Sequence, residues 1–221
     1  QLGHPRTAPR GNQLGAMGML VAVLTTVAEM QWGDGIEGWI LIGSGLLIGS
    51  LIGAIMAIRV EMTGMPEMVA LFNGFGGAAS ALVALSESWK YIEDPSLVPT
   101  GLDLQVVVVA AGLSALVGWM TLTGSLLAML KLKGGVEIFG KWIRTPTWGP
   151  GWLNPIKAIL FFGVLGFIYL SIDDPTNTDY LFAIIGISCL LGVLLVLPIG
   201  GADMPVVVSL LNSLSGIAAA F

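Results

Sequence analysis

The sequence predicts an all-α fold, a polytopic membrane helix bundle of about seven transmembrane segments with a parallel internal repeat. Three observations carry this prediction. Of 221 residues, 55% are hydrophobic and only 10% charged, with a mean hydropathy of +0.89. Soluble domains carry roughly 25% charged residues because their surface faces water. The apolar residues collect in runs that approach or exceed the roughly 20 needed to cross a bilayer's hydrocarbon core. Finally, one stretch of the first half recurs in the second at a constant offset.

The apolar segments are 14–31, 38–58, 66–86, 104–130, 155–172, 180–197 and 205–221, joined by polar turns such as Trp32-Gly33-Asp34-Gly35 and Asp173–Asp179. One such segment alone could be a buried helix of a large soluble protein. Seven in succession with so few charges between them leave that reading little room. The 31 glycines suit membrane helices that approach closely through small side chains. Residues 1–13 are polar and basic, without an initiator Met or an apolar h-region, and read as a cytosolic stub rather than a signal peptide. Residues 14–221 read as a transmembrane domain. Both ends of the chain read as cut.

Loop charges set the orientation, because Lys and Arg are retained on the cytoplasmic side. With alternating crossings, Arg6, Arg10, Arg59, Lys131, Lys133, Lys141, Arg144 and Lys157 share one side, and only Lys90 lies opposite. Asp34, Glu37, Glu93, Asp94, Asp103, Asp173, Asp174 and Asp179 lean to the Lys90 side. The stub therefore faces the cytoplasm, or the matrix in a mitochondrion.

The repeat aligns Met65-Pro66-Glu67-Met68-Val69 onward with Met204-Pro205-Val206-Val207-Val208 onward at an offset of 139. Met65/Met204, Pro66/Pro205, Val69/Val208, Leu71/Leu210, Asn73/Asn212, Gly77/Gly216 and Ala79/Ala218 are identical. The offset defines parallel copies 14–80 and 153–219, with segment 104–130 as an odd helix between them. Chance likeness among apolar runs explains shared Val and Ala, but poorly explains a shared Met-Pro and a shared Asn. Each Pro suits a first helical turn, whose N–H groups lack partners anyway. Asn73 and Asn212 then sit about 10 Å further along the axis, well inside a hydrocarbon core about 30 Å thick. An unpaired amide there costs several kcal/mol, so each must face a partner helix or water.

Two readings of these amides stand side by side. Stripes Asn73, Gly76, Gly77, Ser80 and Ser209, Asn212, Ser213, Gly216 could be interhelical glue, or could line a thin hydrated proton path with Thr123. Thr121, Thr123, Gly124 and Ser125 form a further polar group, whose hydroxyls would by default bond carbonyls of their own helix or else line the same path. Glu29 is read as reaching the interface and His4 as a solvated loop residue. Cys189 in its apolar run reads as packing, with no disulfide framework. No dinucleotide or P-loop motif is present, no His/Cys cluster could hold a metal, and no nucleic acid partner is expected.

Glu61-Met62-Thr63-Gly64-Met65-Pro66-Glu67, Leu122-Thr123-Gly124-Ser125 and Gly200-Gly201-Ala202-Asp203-Met204-Pro205 together resemble the beta subunit of proton-translocating NAD(P) transhydrogenase. The resemblance runs from soon after the stub to the last residue. It implies hydride transfer from NADH to NADP+ coupled to inward proton movement. It also implies that NAD(H) and NADP(H) are bound by other domains, with no cofactor in this chain. The expected partners are alpha-type membrane helices with their NAD(H) domain, the NADP(H) domain that this chain lacks, and the lipid bilayer, in a dimeric complex. Some members carry a histidine at the position of Asn73. Here the resemblance implies that a partner helix supplies that titrating group, that Asn73 and Asn212 orient water or that group, and that Asp203 and Glu67 sit at the cytosolic mouth. The bacterial cytoplasmic membrane is the expected location, with the mitochondrial inner membrane as alternative. A secondary transporter or scaffold subunit with a parallel repeat is the other functional reading.

Overall fold

The structure is a computed structural model that describes residues 6–29, 35–98, 101, 103–138 and 141–220. Two compact units divide the chain, Gln1–Arg59 and Val60–Phe221. His4 and the turn Trp32–Asp34 lie outside the described residues, as does the side chain of Glu29.

The first unit holds α1 (Ala8–Glu29) and α2 (Gly35–Arg59). Helix α1 therefore takes in residues 8–13, which the sequence reading left in the polar stub. Thr25 and Thr26 return their hydroxyls to carbonyls of their own helix, Val21 and Ala22. This satisfies both hydroxyls without a partner segment.

The second unit holds α3 (Met65–Glu93), α4 (Leu104–Leu132), a hairpin of β1 (Val136–Ile138) and β2 (Lys141–Ile143), α5 (Leu153–Asp173), α6 (Thr178–Val196) and α7 (Met204–Ala218). All seven helices of the described residues are long and apolar enough to cross a membrane. The chain is an integral membrane protein. Helix α3 runs seven residues past its sequence-predicted end at 86, because nothing in Glu87–Glu93 breaks a helix before Pro95. The hairpin was not foreseen. Gly134 and Gly135, at φ of 81° and 156°, turn the chain out of α4, and antiparallel pairs Val136–Ile143 and Glu137–Trp142 follow.

The odd helix of the repeat, α4, is the hub, in contact with α3, α5, α6 and α7. In lipid no hydrophobic effect drives helices together, so close fit must. Gly118 of α4 lies against the Gly77 carbonyl of α3, where a Cβ on Gly118 would also fall 2.6 Å from the Ala81 methyl. Gly192 of α6 seats against Thr123 and the Met120 carbonyl of α4. Gly112 of α4 receives Ile168 of α5, 2.8 Å from where its Cβ would be. One apolar cluster joins Leu116 and Met120 to Val164, Ile168, Ile184 and Leu191, and another joins Ala70 and Ala128 to Val196, Met204, Val208 and Leu211.

Lys131, counted among loop charges in the sequence reading, is instead 5% exposed at the end of α4. Its ammonium donates to the carbonyls of Val196, Leu197 and Ile199 at 3.2, 2.6 and 2.6 Å. The last carbonyls of a helix lack intrahelical partners and favour a cation. Lys131 supplies that cation from a different helix and ties the α6–α7 turn to α4.

Two outcomes follow from these contacts. Gly118→Ala should destabilise the purified protein by about 1–3 kcal/mol through overpacking, whereas Gly166→Ala, with open space around it, should be neutral or slightly stabilising. Equal melting temperatures in detergent would refute the close-approach account. Lys131→Met should leave three carbonyls unserved, at about 1–3 kcal/mol for a group left unsatisfied. Hydrogen exchange should then quicken at the amides of 197–203 more than at those of α5.

Candidate functional site

The two Met-Pro elements fold alike. Each is preceded by a single 3-10 turn, Met62–Gly64 and Gly201–Asp203, that runs directly into its helix. Glu61 and Gly200 open the turns at φ, ψ of −77°, 156° and −73°, 158°. Gly64 and Asp203 close them at −87°, −3° and −92°, −2°. Pro66 and Pro205 occupy the first helical turn, as the missing N–H allows.

Beyond the turns the copies diverge. In α3, Phe72 is exposed and Asn73 buried, whereas in α7 Leu211 is buried and Asn212 exposed. Consecutive residues lie about 100° apart around a helix. The α7 copy is thus turned by about one residue relative to its packing on α4, compared with α3. Met65 and Met204 show the same inversion, at 45% and 0% exposed.

Asn73 is 9% exposed and its amide is served on both sides. Its Nδ2 donates to Ser125 Oγ of α4 at 2.9 Å, and its Oδ1 stands 3.2 Å from Ser215 Oγ of α7. Ser215 has a second acceptor in the Asn212 carbonyl, at 2.9 Å. Since a hydroxyl carries one hydrogen, Ser215 alternates between its own helix and Asn73. Three helices meet at this one amide. Four residues further along the α3 face, Gly77 packs on Thr121, whose Oγ1 is fully buried and makes no hydrogen bond among the described residues.

Beside this junction an open groove runs between α3 and α7. Val69, Phe72, Asn73 and Gly76 line one side, and Pro205, Val208, Ser209, Asn212 and Ser215 the other. Three of the four expected path residues, Asn73, Asn212 and Ser209, come together here. Thr123 does not. Its hydroxyl lies 2.8 Å from the Cys189 carbonyl of α6 and 3.2 Å from that of Trp119 in its own helix. Thr123 and Ser125 are two residues apart and hence about 200° around α4, so only one of them can face α3. Ser125, from the same polar group of α4, and Ser215 of α7 are the hydroxyls that meet Asn73. The four-residue spacing of Thr121 and Ser125 was the available signal for the α3-facing stripe.

Glu67 stands in the first turn of α3 and Asp203 caps the start of α7, each at a helix end that favours negative charge. Neither side chain makes a hydrogen bond or ion pair among the described residues. No titratable side chain lines the groove between them. Among the described residues no cluster of His, Cys, Asp and Glu could hold a metal.

Comparison with known proteins places this arrangement. The family model described as NAD(P) transhydrogenase beta subunit matches residues 1–221. The chain belongs to that family. Two curated sequences named NAD(P) transhydrogenase subunit beta, both from Rhodospirillum rubrum and one from a specified strain, are each 37% identical over 223 residues. The alignment covers 99% of this chain but 44% of each relative. This transhydrogenase beta-subunit chain therefore spans less than half the length of the curated relatives it matches. The Met-Pro turns, the Asn73 junction and the groove all fall within the matched span.

In the transhydrogenase beta subunit chain, Asn73→Leu should leave Ser125 without its donor and loosen α3 from α4 and α7. A double-mutant cycle of Asn73→Leu with Ser125→Ala, read by thermal unfolding, should give a coupling of about 0.6–2 kcal/mol, the range for interhelical hydrogen bonds in membranes. Additive effects would mean the bond contributes nothing.

Proposed function

We propose that this chain is the proton-translocating membrane portion of an NAD(P) transhydrogenase, coupling inward proton movement to hydride transfer from NADH to NADP+. The observation that carries the proposal is Asn212 with Ser209, polar and exposed in the groove of a helix apolar enough to span a membrane. Lipid cannot satisfy an amide, so the groove calls for water or a partner helix. Amides and hydroxyls can order water and relay hydrogen bonds, but an amide does not take up a proton in the working pH range. The titrating group must then come from elsewhere, and the family resemblance supplies the candidate, a histidine on an alpha-type helix that would seat over the groove.

In this reading Asn73 has a structural share, since one donor and one acceptor of its amide already join three helices. Asn212, exposed, is the amide free to meet water or the partner's imidazole. Glu67 and Asp203, at the starts of α3 and α7, form the mouth on the side where Lys and Arg concentrate. The NADP(H) domain would act on that mouth, and the alpha-type portion with its NAD(H) domain would complete a dimeric complex. NAD(H) and NADP(H) would be held outside this chain. The bacterial cytoplasmic membrane is the proposed location, with the mitochondrial inner membrane as the alternative.

The test separates the two amides in the complete enzyme reconstituted in liposomes. Asn212→Leu should lower proton pumping and the coupled reaction together by about tenfold or more, equivalent to about 1.4 kcal/mol on the barrier, with assembled complex near wild type. Asn73→Leu should lower assembly as well. Loss of assembled Asn212→Leu complex, with normal coupling in each surviving molecule, would make the groove amide a packing element and overturn the proposal.

A further inference from the structure

The connection between α4 and α5 carries chemistry that proton movement does not use. Three of the seven tryptophans fall within it, Trp142, Trp148 and Trp152. Their exposures are 54%, 49% and 56%. Lys133, Lys141 and Arg144 are exposed in the same stretch, and Lys157 is half-buried in the second turn of α5. No carboxylate pairs with any of the four among the described residues. Glu137, opposite Trp142 in the hairpin, is the single acid between Lys131 and Lys157.

The fold holds this stretch at the level where the spans end. Lys133 is the residue that caps α4, and Trp152 the one that caps the start of α5. Between them the chain is tied down rather than projecting. The Trp148 amide donates to the Leu197 carbonyl at 3.3 Å, at the very end of α6. Gly149 lies directly against Pro198, with no room for a Cβ. The Trp148 and Trp152 rings meet edge to face, with centroids 5.3 Å apart. Exposed indoles and unpaired cations are thereby fixed beside the ends of three membrane helices.

Each component has the same natural surroundings. An indole places an apolar body and a single N–H donor at the headgroup boundary. Juxtamembrane Lys and Arg are drawn to anionic headgroups. A protein partner fits less well, because lysine is depleted from the buried core of protein interfaces.

We propose that residues 133–138 and 141–157 form a binding surface for anionic phospholipid. Trp142, Trp148 and Trp152 lie at the acyl–headgroup boundary, and Lys133, Lys141 and Arg144 meet the lipid phosphates. The surface anchors the α4–α5 connection, and through Trp148 the end of α6, to the bilayer. It is independent of the proton path.

The test uses the complete complex in nanodiscs of phosphatidylcholine containing a fixed fraction of dibrominated phosphatidylglycerol or dibrominated phosphatidylcholine. Bromine quenches nearby indole emission. The difference between wild type and a W142F/W148F/W152F variant isolates the three rings from all other tryptophans. Brominated phosphatidylglycerol should quench that difference signal more than brominated phosphatidylcholine. Lys133→Gln, Lys141→Gln and Arg144→Gln, all at exposed sites, should weaken the preference by about fivefold per cation and abolish it together. Equal quenching by the two lipids in the wild type would overturn the proposal. So would a difference signal that responds to neither lipid until the nucleotide-binding domains are removed, since the stretch would then be covered by protein.

Discussion

A hydrogen-bonding group inside hydrocarbon gets no partner from lipid, so one that the protein leaves unpaired is costly. Most of the second unit can be read as a response to that constraint. Ser80, Ser171 and Ser188 return their hydroxyls to carbonyls of their own helices. Asn73, with two donors and two acceptor sites on one amide, cannot be served that way, and its partners come from α4 and α7. Its satisfaction requires the helices to be close, and the glycines at 74, 77 and 118 bring them close. Polar pairing and small-residue packing are thus one arrangement, centred on α4.

The same constraint explains why two nearly identical sequence elements do different work. The turns before α3 and α7 agree within a few degrees, since a Met-Pro start after a short 3-10 turn is a local matter. Their helices meet α4 differently. Helix α3 offers it Ala70, Asn73, Gly74 and Gly77, while α7 offers Met204, Val208 and Leu211. A rotation of about one residue turns one amide into a junction and the other into a groove-facing group. The chain holds two similar polar helix starts, and packing assigned them separate roles.

The two ends of the unit also differ in how they treat charge. On the lysine-rich side, Lys131 is withdrawn from solvent to serve the end of α6, while Lys133, two residues on, remains exposed at the edge of the hairpin. On the opposite side the charges sit at the surface in short-range contacts. Glu87 pairs with Lys90 at 3.7 Å and accepts from Tyr91, and Asp94 accepts from the Ser96 amide and hydroxyl. Those exposed contacts contribute little to stability. The buried ammonium of Lys131, with all three donors engaged, fixes the turn from which α7 and its groove residues depart.

Apolar runs that approach or exceed the thickness of a bilayer's hydrocarbon core left helix number and approximate bounds legible in the sequence, because span length is set by the solvent and not by the partner. The Met-Pro recurrence likewise exposed Asn73 and Asn212, since an amide at that depth stands out against Val, Leu and Ala. Facing was not legible. Thr123 and Ser125 differ by two positions in one polar run, and only the placement of α3 and α6 on either side of α4 decides that the first bonds Cys189 and the second Asn73. Nor could charge counting tell Lys131 from Lys133, because burial depends on where the end of α6 lies. Composition and periodicity fix what must be in the membrane. The rotation of each helix about its axis is set by contacts between segments distant in the chain, and that rotation decided which polar groups join helices and which line the groove.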